Sequence, residues 1–233
     1  MRDHISGQYD AELDAVRSHV MEMGGVVELL LREACDALLL HDAELARSAI
    51  DRDPEVNRLE VAIDDECNHI IARRQPTARD LRLVMSIVKT ITDLERIGDE
   101  GSRVAKMAIQ LAGMERAREP APELRTMIKG VREMLAAALD AFARVDVDAA
   151  LDVIGRDKEI DRCYDSLIGR LVPGMEAEPE HIRRSLSMIW CSRSLERIGD
   201  HAKNVSEYVV YLGRGQDVRH QPLERKSQDA SGD

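Results

Sequence analysis

The sequence LERIGD occurs twice in this chain, at residues 94–99 and again at 195–200. Each copy places a Glu and an Asp four residues apart, and on an α-helix such residues lie on one face about one turn apart. The acidic residues are Glu95 and Asp99 in the first copy, and Glu196 and Asp200 in the second. Paired carboxylates supply hard oxygen ligands, which suit magnesium, manganese, calcium or iron, and which zinc also accepts. Each copy is therefore a candidate metal site.

Further matches indicate that the whole chain is an internal duplication. Residues 38–46 correspond to 142–150, and residues 53–57 correspond to 157–161. The second correspondence adds acidic residues from a preceding segment: Asp157 and Asp161 in the second half, and Asp53 and Asn57 in the first. Two four-spaced pairs on facing helices would form a site, whereas one pair alone forms a charged face. The alternative is structural: Glu95 and Glu196 would pair with arginines of adjacent helices, or with Arg96 and Arg197 of the other copy.

The elements that position these acids are predicted to be long helices. Apolar residues recur every three or four positions, which predicts helices over about 9–41, 42–74 and 77–113, and Pro54 is expected to bend the second one. After the Pro-rich linker at 119–122 the same plan begins again. We therefore predict an all-α fold of two repeated three-helix bundles, comprising residues 1–118 and 119–213. Residues 214–233 are polar without periodicity and are predicted to form a disordered tail.

Composition narrows the functional classes. The chain has 233 residues, only 3% aromatics and a formal net charge of −11, so neither nucleic-acid binding nor contact with anionic lipid is expected. It contains neither a secretory signal nor an apolar run of the ~20 residues that span a bilayer. We expect a cytoplasmic protein without direct membrane insertion. Trp190, the one tryptophan, is expected to lie in the core.

Specific motifs resemble the PhoU family of phosphate-signalling proteins. They are RQPTARDLR at residues 74–82, both LERIGD copies, and the continuation after Asp200 through Asn204. The resemblance extends to about His220. It implies a fold of two three-helix bundles and a cytoplasmic, non-enzymatic regulator of phosphate homeostasis. Such a protein restrains a high-affinity phosphate ABC transporter and helps its sensor histidine kinase to switch off the starvation response. A homodimer is also implied.

The resemblance implies metal clusters, often of iron or zinc, on the acidic motifs, with manganese and magnesium as other candidates. Carried across, the ligands would be the four acids of the LERIGD copies, together with Asp157 and Asp161 opposite Asp53 and Asn57. Two departures concern the first half. Asn57 supplies a neutral oxygen, and residues 100–103 lack the His-Ala-x-Asn continuation that follows Asp200. We therefore expect tighter metal binding in the second half.

Rival functions come from other classes. A metal-dependent hydrolase would use the acidic pairs to activate water, but it needs an open coordination position and a base near the substrate. A metal-free helical adaptor would need neither. The ExxH motif formed by Glu66 and His69 is typical of di-iron proteins, but these use two such motifs, and no second one is suitably placed.

Overall fold

The computed structural model describes residues 2–114 and 121–218, with side chains from Gly7 onward. This part of the chain contains α-helices and no β-strand, which confirms the predicted all-α fold of two three-helix repeats. The helices of the first repeat are α1 (Arg2–Leu40), α2 (Ala43–Asp51), α3 (Asp53–Arg74) and α4 (Ala78–Ala112). Those of the second are α5 (Pro122–Arg144), α6 (Val147–Ala177) and α7 (Ile182–Arg214), with a 3₁₀ turn (Pro179–His181) before α7. Most of the predicted tail lies outside the described residues.

The second helix of the first repeat is divided at Arg52, which gives α2 and α3 in place of one rod. Pro54 lies in the first turn of α3 and has no N–H to donate to the preceding turn, so the helix breaks there. Two guanidinium nitrogens of Arg52, Nε and Nη2, donate to the carboxylate of Glu33 on α1, at 2.8 and 2.7 Å. In the second repeat Lys158 stands at the position equivalent to Pro54, and α6 continues there without a break.

The first two helices of each repeat form a helical hairpin, α1 with α2 and α5 with α6, and the turns of the two hairpins are equivalent. His41 and Val145 both adopt a left-handed backbone conformation, with φ of 57° and 54°. Each is followed by an aspartate whose side chain caps the next helix. Asp42 Oδ1 accepts hydrogen bonds from the N–H groups of Glu44 and Leu45, and Asp146 Oδ1 accepts one from that of Ala149. These caps satisfy backbone donors that the first helical turn leaves unpaired.

The last helix of each repeat, α4 in the first and α7 in the second, lies at the centre of the molecule. Helix α4 packs against α1, α2 and α3, while α7 packs against α5 and α6. The two repeats meet where α4 packs along α7 and α1 contacts α5. Along the predicted apolar seam of α4, Val84 and Ile91 are buried, Val88 is half-buried and Leu81 is exposed. Burial of these continuous apolar stripes is the main force that holds the helices together.

A buried polar cluster joins the two repeats within this interface. Asp93 of α4 is 5% exposed and accepts hydrogen bonds from three residues of α7. His201 Nδ1 and Asn204 Nδ2 lie 2.6 and 3.1 Å from Asp93 Oδ1, and the hydroxyl of Tyr208 donates to Oδ2 at 2.7 Å. Three donors on one carboxylate compensate the loss of its hydration.

The surface departs from expectation at Trp190. Its side chain is 59% exposed on α7, so the prediction that it lies in the core is wrong. Trp190 follows Ile182 and Leu186 at helical spacing, and these residues are also exposed. Within the described residues, no helix has the length and apolar character needed to cross a membrane.

Candidate functional site

Helices α6 and α7 bring together the four acids predicted for the second half. Glu196 and Asp200 lie one turn apart on α7, and Asp157 and Asp161 lie one turn apart on the neighbouring α6. We call these four residues the second acidic site. Asp157 is buried, Glu196 and Asp200 are half-buried, and Asp161 is exposed. Burial raises the pKa of Asp161, and the charges of Asp157 and Asp200 raise it further, so the acids of the two helices act on each other across the helix pair.

Cations of the chain hold two of these carboxylates. Lys203 Nζ donates to Asp157 Oδ2 at 2.6 Å, and Arg193 Nη1 donates to Glu196 Oε1 at 2.6 Å. The other oxygen of each carboxylate, Asp157 Oδ1 and Glu196 Oε2, is buried and has no hydrogen-bond partner among the described residues. A buried carboxylate oxygen without a donor is unfavourable, because its hydration is lost without replacement.

Glu196 and Asp200 of the second acidic site are destabilised in their charged form. Burial raises the pKa of Glu196 above its ordinary value, and the charge of Asp200 raises it further. Burial also raises the pKa of Asp200, followed by the charge of Asp157. For Lys203 burial alone would lower the pKa, but the hydrogen bond and charge of Asp157 outweigh it and the pKa is raised. A bound cation would therefore stabilise the charged form of these carboxylates.

The first repeat forms an equivalent cluster between α3 and α4. Asp53 Oδ1 accepts a hydrogen bond from the hydroxyl of Ser102 at 3.1 Å, and Asn57 is exposed one turn further along α3. Glu95 and Asp99 lie on α4 as predicted, and both are half-buried. Burial raises the pKa of Glu95, and the charge of Asp99 raises it further. The acids of both predicted sites thus lie on the helices on which the sequence placed them.

Two acids of the first cluster were missed by the sequence analysis. Glu60 of α3 is close enough to Glu95 for its charge to raise the pKa of Glu95. Burial raises the pKa of Glu60 itself, followed by the charges of Asp64 and Asp99. We call Asp53, Asn57, Glu60, Asp64, Glu95 and Asp99 the first acidic site.

The available signal was the four-residue spacing of Glu60 and Asp64, one turn after Asn57. It was overlooked because Tyr164 and Ile168 occupy the equivalent positions of the second repeat. The extra acids offset the loss of charge at Asn57. What distinguishes the second acidic site from the first is therefore the burial of Asp157 and the two oxygens without a partner.

The glycines inside the LERIGD copies face the preceding helix of each repeat. A Cβ added at Gly98 would lie 3.3 Å from Val56 Cγ1, and one added at Gly199 would lie 3.6 Å from Asp157 Oδ1 and 3.7 Å from Ile160. The absence of a side chain lets α3 and α6 approach α4 and α7 closely. In the second repeat it also brings the backbone of α7 beside the unpartnered oxygen of Asp157.

The ion-pair alternative is realised at other residues than those expected. Arg197 Nε lies 3.1 Å from Glu100 Oε1, so this arginine crosses the repeat interface but does not contact Glu95. Glu196 is paired with Arg193 of its own helix. Glu66 of the ExxH motif is paired with His19, while His69 Nδ1 contacts the carbonyl of Asp65, so the two ExxH side chains do not converge.

The described residues do not contain three His, Cys, Asp or Glu side chains already placed around one metal position. The second acidic site nevertheless fits a hard cation, because it contains four carboxylates and two of their oxygens are buried without a partner. Coordination through one oxygen of each would use the free Asp157 Oδ1 and Glu196 Oε2, whereas coordination through both oxygens would also require Lys203 and Arg193 to move away. Rotation about side-chain bonds is sufficient for such a change.

The fold and the sites define a class: a duplicated three-helix protein with one carboxylate cluster between the second and third helix of each repeat. A sequence-family model described as the PhoU domain matches residues 20–108 and 124–209. The chain therefore belongs to the PhoU family.

Individual relatives support this assignment over almost the full length. A phosphate-specific transport system accessory protein PhoU homolog of Pseudomonas putida is 50% identical over 98% of this chain and 90% of its own length. The phosphate-specific transport system accessory protein PhoU of Escherichia coli (strain K12) is 42% identical, over 94% of this chain and 91% of its own.

Solved structures agree with the fold. The crystal structure of PhoU from Pseudomonas aeruginosa covers 89% of this chain and 100% of its own, at 48% identity and a TM-score of 0.87. The phosphate transport system regulatory protein PhoU of Streptococcus pneumoniae covers 90% of this chain and 99% of its own, at 30% identity and a TM-score of 0.83.

Proposed function

We propose that this protein is a cytoplasmic, non-enzymatic regulator of phosphate homeostasis. It restrains high-affinity phosphate uptake and helps to switch off the phosphate-starvation response when phosphate is ample. Membership of the PhoU family carries this proposal, together with relatives named as accessory proteins of a phosphate-specific transport system over at least nine-tenths of their length. The regulatory protein from Streptococcus pneumoniae, which shares the fold, adds support.

The regulator acts through protein partners. We propose that these are components of the phosphate ABC transporter and its sensor histidine kinase, and that the protein works as a homodimer. The absence of a membrane-spanning helix from the described residues is compatible with contact through partners alone.

Metal binding at the two acidic sites is part of the proposal. In the second site, Asp157, Asp161, Glu196 and Asp200 hold a divalent or iron-type ion. In the first site, Asp53, Asn57, Glu95 and Asp99 do so, with Glu60 and Asp64 adding negative charge. When bound, the cation neutralises the carboxylates and links α3 to α4, or α6 to α7. The two buried oxygens without a donor, Asp157 Oδ1 and Glu196 Oε2, are the observation that supports it best.

A double variant tests the link between the second acidic site and regulation. Glu196→Ala with Asp200→Ala removes two of the four carboxylates. We expect a loss of metal, measured by elemental analysis of the purified full chain after loading and desalting. In cells the same variant should switch on a phosphate-starvation reporter despite ample phosphate.

A matched pair on the same repeat serves as the control. Asp148 and Asp152 are also four residues apart, but both are exposed on α6 away from the site. Asp148→Ala with Asp152→Ala should leave metal content and repression unchanged. A folded Glu196 and Asp200 variant that keeps its metal and represses normally would show that the acids are structural. Loss of metal with normal repression would separate metal binding from regulation and contradict the functional part.

A further inference from the structure

The two acidic sites differ at a position that contacts an equivalent candidate ligand in each, Asp157 in the second site and Asp53 in the first. Lys203 of α7 donates from Nζ to Asp157 Oδ2 at 2.6 Å, and the side chain of Asp157 is only 5% exposed. The residue equivalent to Lys203 in the first repeat is Ser102, whose hydroxyl donates to Asp53 Oδ1 at 3.1 Å. The contact is therefore conserved between the repeats of this chain, but a cation makes it in one and a neutral group in the other.

A second cation strengthens the contrast. Arg193 binds Glu196, whereas Thr92 stands at the equivalent position of α4 and donates its hydroxyl to the carbonyl of Val88. Within residues 2–114 and 121–218, no Lys, Arg or His lies within ion-pair distance of the first-site acids Asp53, Glu60, Asp64, Glu95 or Asp99. Two carboxylates of the second acidic site are thus bound directly by side-chain cations, whereas in the first site Arg96 acts on Glu60 and Glu95 only through its charge.

A metal ion and the ammonium group of Lys203 compete for the same carboxylate, that of Asp157. The ammonium, a donor without acceptor capacity, occupies Oδ2, so a hard cation has only Oδ1 available unless Lys203 leaves. The two positive charges would also repel each other at this distance in a half-buried site. Lys203 has a flexible four-carbon stem and its side chain is 32% exposed, so the ammonium group can leave without disturbing α7.

Another carboxylate, that of Glu207, lies near Lys203. Glu207 is one turn further along α7. Burial lowers the pKa of Lys203, and Asp157, Asp200 and then Glu207 raise it. The i to i+4 spacing places the two side chains on one face of the helix. An ammonium displaced from Asp157 therefore remains near a negative charge.

We propose that Lys203 is a built-in competitor of metal at the second acidic site. The second site exchanges this ammonium for a metal ion, whereas the first site binds metal without displacing a side-chain cation. The two halves thereby respond to different metal concentrations. This inference rests on the metal binding advanced under the proposed function, and it adds the residue that sets the affinity of one site relative to the other.

An exchange of residues between the repeats tests it on the full chain, with Mn²⁺ alone as the probe. Titration with free Mn²⁺ measured by electron paramagnetic resonance gives the affinity without any activity assay. Glu95→Ala with Asp99→Ala leaves the second site to be measured. In that background Lys203→Ser should raise the Mn²⁺ affinity by about tenfold, since the net effect of one charge-assisted hydrogen bond is of that order.

The reciprocal substitution examines the first site. With Glu196→Ala and Asp200→Ala present, Ser102→Lys should lower the Mn²⁺ affinity of the first site by about tenfold. Lys203→Arg keeps the charge and should not raise the affinity. Lys106→Ser removes an exposed lysine of α4 and should change neither site. If Lys203→Ser does not fold by circular dichroism, Lys203→Gln removes the charge with less loss of side-chain volume.

The outcomes separate this inference from the proposed function. If the natural chain and all variants fail to bind Mn²⁺, metal binding itself is wrong, and the competitor role falls with it. If the natural chain binds Mn²⁺ but neither Lys203→Ser nor Lys203→Gln raises the affinity, metal binding stands and the competitor role is overturned. A tenfold rise at the second site, with the matching fall caused by Ser102→Lys, supports both.

Discussion

The hydroxyl of Tyr208 on α7 donates a 2.7 Å hydrogen bond to Asp93 Oδ2 on α4, at a point where both residues are buried. The two residues belong to different repeats and are separated by 115 positions in the chain. The same carboxylate also accepts hydrogen bonds from His201 and Asn204. One aspartate of the first repeat is thereby held by three side chains of the second, which fixes how the repeats pack together.

Removal of this carboxylate should destabilise the whole molecule. Asp93→Ala removes the acceptor of two buried donors, His201 and Tyr208, and of the half-buried Asn204, and we expect the free energy of unfolding to fall by about 3 kcal/mol. Urea unfolding followed by circular dichroism measures the change. Ser194 is the equivalent residue of the second repeat and is also buried, so Ser194→Ala is the matched control, with an expected loss below about 1 kcal/mol. Equal losses in the two variants would contradict a special role for Asp93.

The contact between Glu33 and Arg52 should give stability that depends on pH. Two hydrogen bonds from Arg52 lower the pKa of Glu33, although burial opposes them. A carboxyl group with a lowered pKa in the folded state contributes stability above its unfolded pKa, and this contribution is lost as the pH falls through the folded pKa. Glu33→Gln should therefore cost about 2 kcal/mol at pH 7, and the difference from the natural chain should shrink below pH 4.5.

An exposed pair provides the comparison for Glu33. Glu44 contacts Arg47 on α2, but the side chain of Glu44 is 85% exposed. Solvent screens such a pair, so Glu44→Gln should change the free energy of unfolding by less than about 0.5 kcal/mol at any pH between 4 and 7. Unfolding curves of both variants across that range are the measurement. A difference for Glu33→Gln that persists unchanged at acid pH would contradict the assignment of its stability to the ion pair.

The glycines of the two LERIGD copies should respond differently to alanine. At Gly199 the new methyl group would make ordinary contacts with Asp157 and Ile160, so the gain in helix propensity, about 0.5–1 kcal/mol, should appear as a higher melting temperature without added metal. At Gly98 the methyl group would lie 3.3 Å from Val56 and would force it to move. Gly98→Ala should therefore gain less than Gly199→Ala. The reverse order in calorimetry would refute this account of the two contacts.

The capping aspartates of the two hairpins give a further test. Asp42→Ala and Asp146→Ala each remove a side-chain acceptor from the first turn of a helix, and each should cost about 1 kcal/mol. Asp42 accepts two backbone N–H groups and Asp146 accepts one, so the cost should be larger at position 42. Asparagine caps helices almost as well as aspartate, so Asp42→Asn and Asp146→Asn should largely restore stability in thermal unfolding. An asparagine variant as unstable as the alanine variant would argue against the capping role.

Much of this protein could be predicted from its sequence. The duplication, the helices, the four-residue spacing of Glu196 and Asp200 and the family resemblance are all present in the order of residues along the chain. These features are local: a helix places residues i and i+4 on one face whatever surrounds it. The acids of the second helix followed from the repeat itself, because Asp157 and Asp161 lie where the first repeat has Asp53 and Asn57.

Only the tertiary structure decided which side chains meet across helices. It placed Lys203 on Asp157, brought Glu60 to the first acidic site, exposed Trp190 and set Asp93 against three residues of α7. These contacts depend on the register and crossing of neighbouring helices, which packing of the whole core fixes and helical periodicity does not. Lys203 and Ser102 occupy equivalent positions in the sequence. Only the tertiary structure shows that each contacts an acid of its site, so that a positive charge reaches Asp157 and a neutral hydroxyl reaches Asp53.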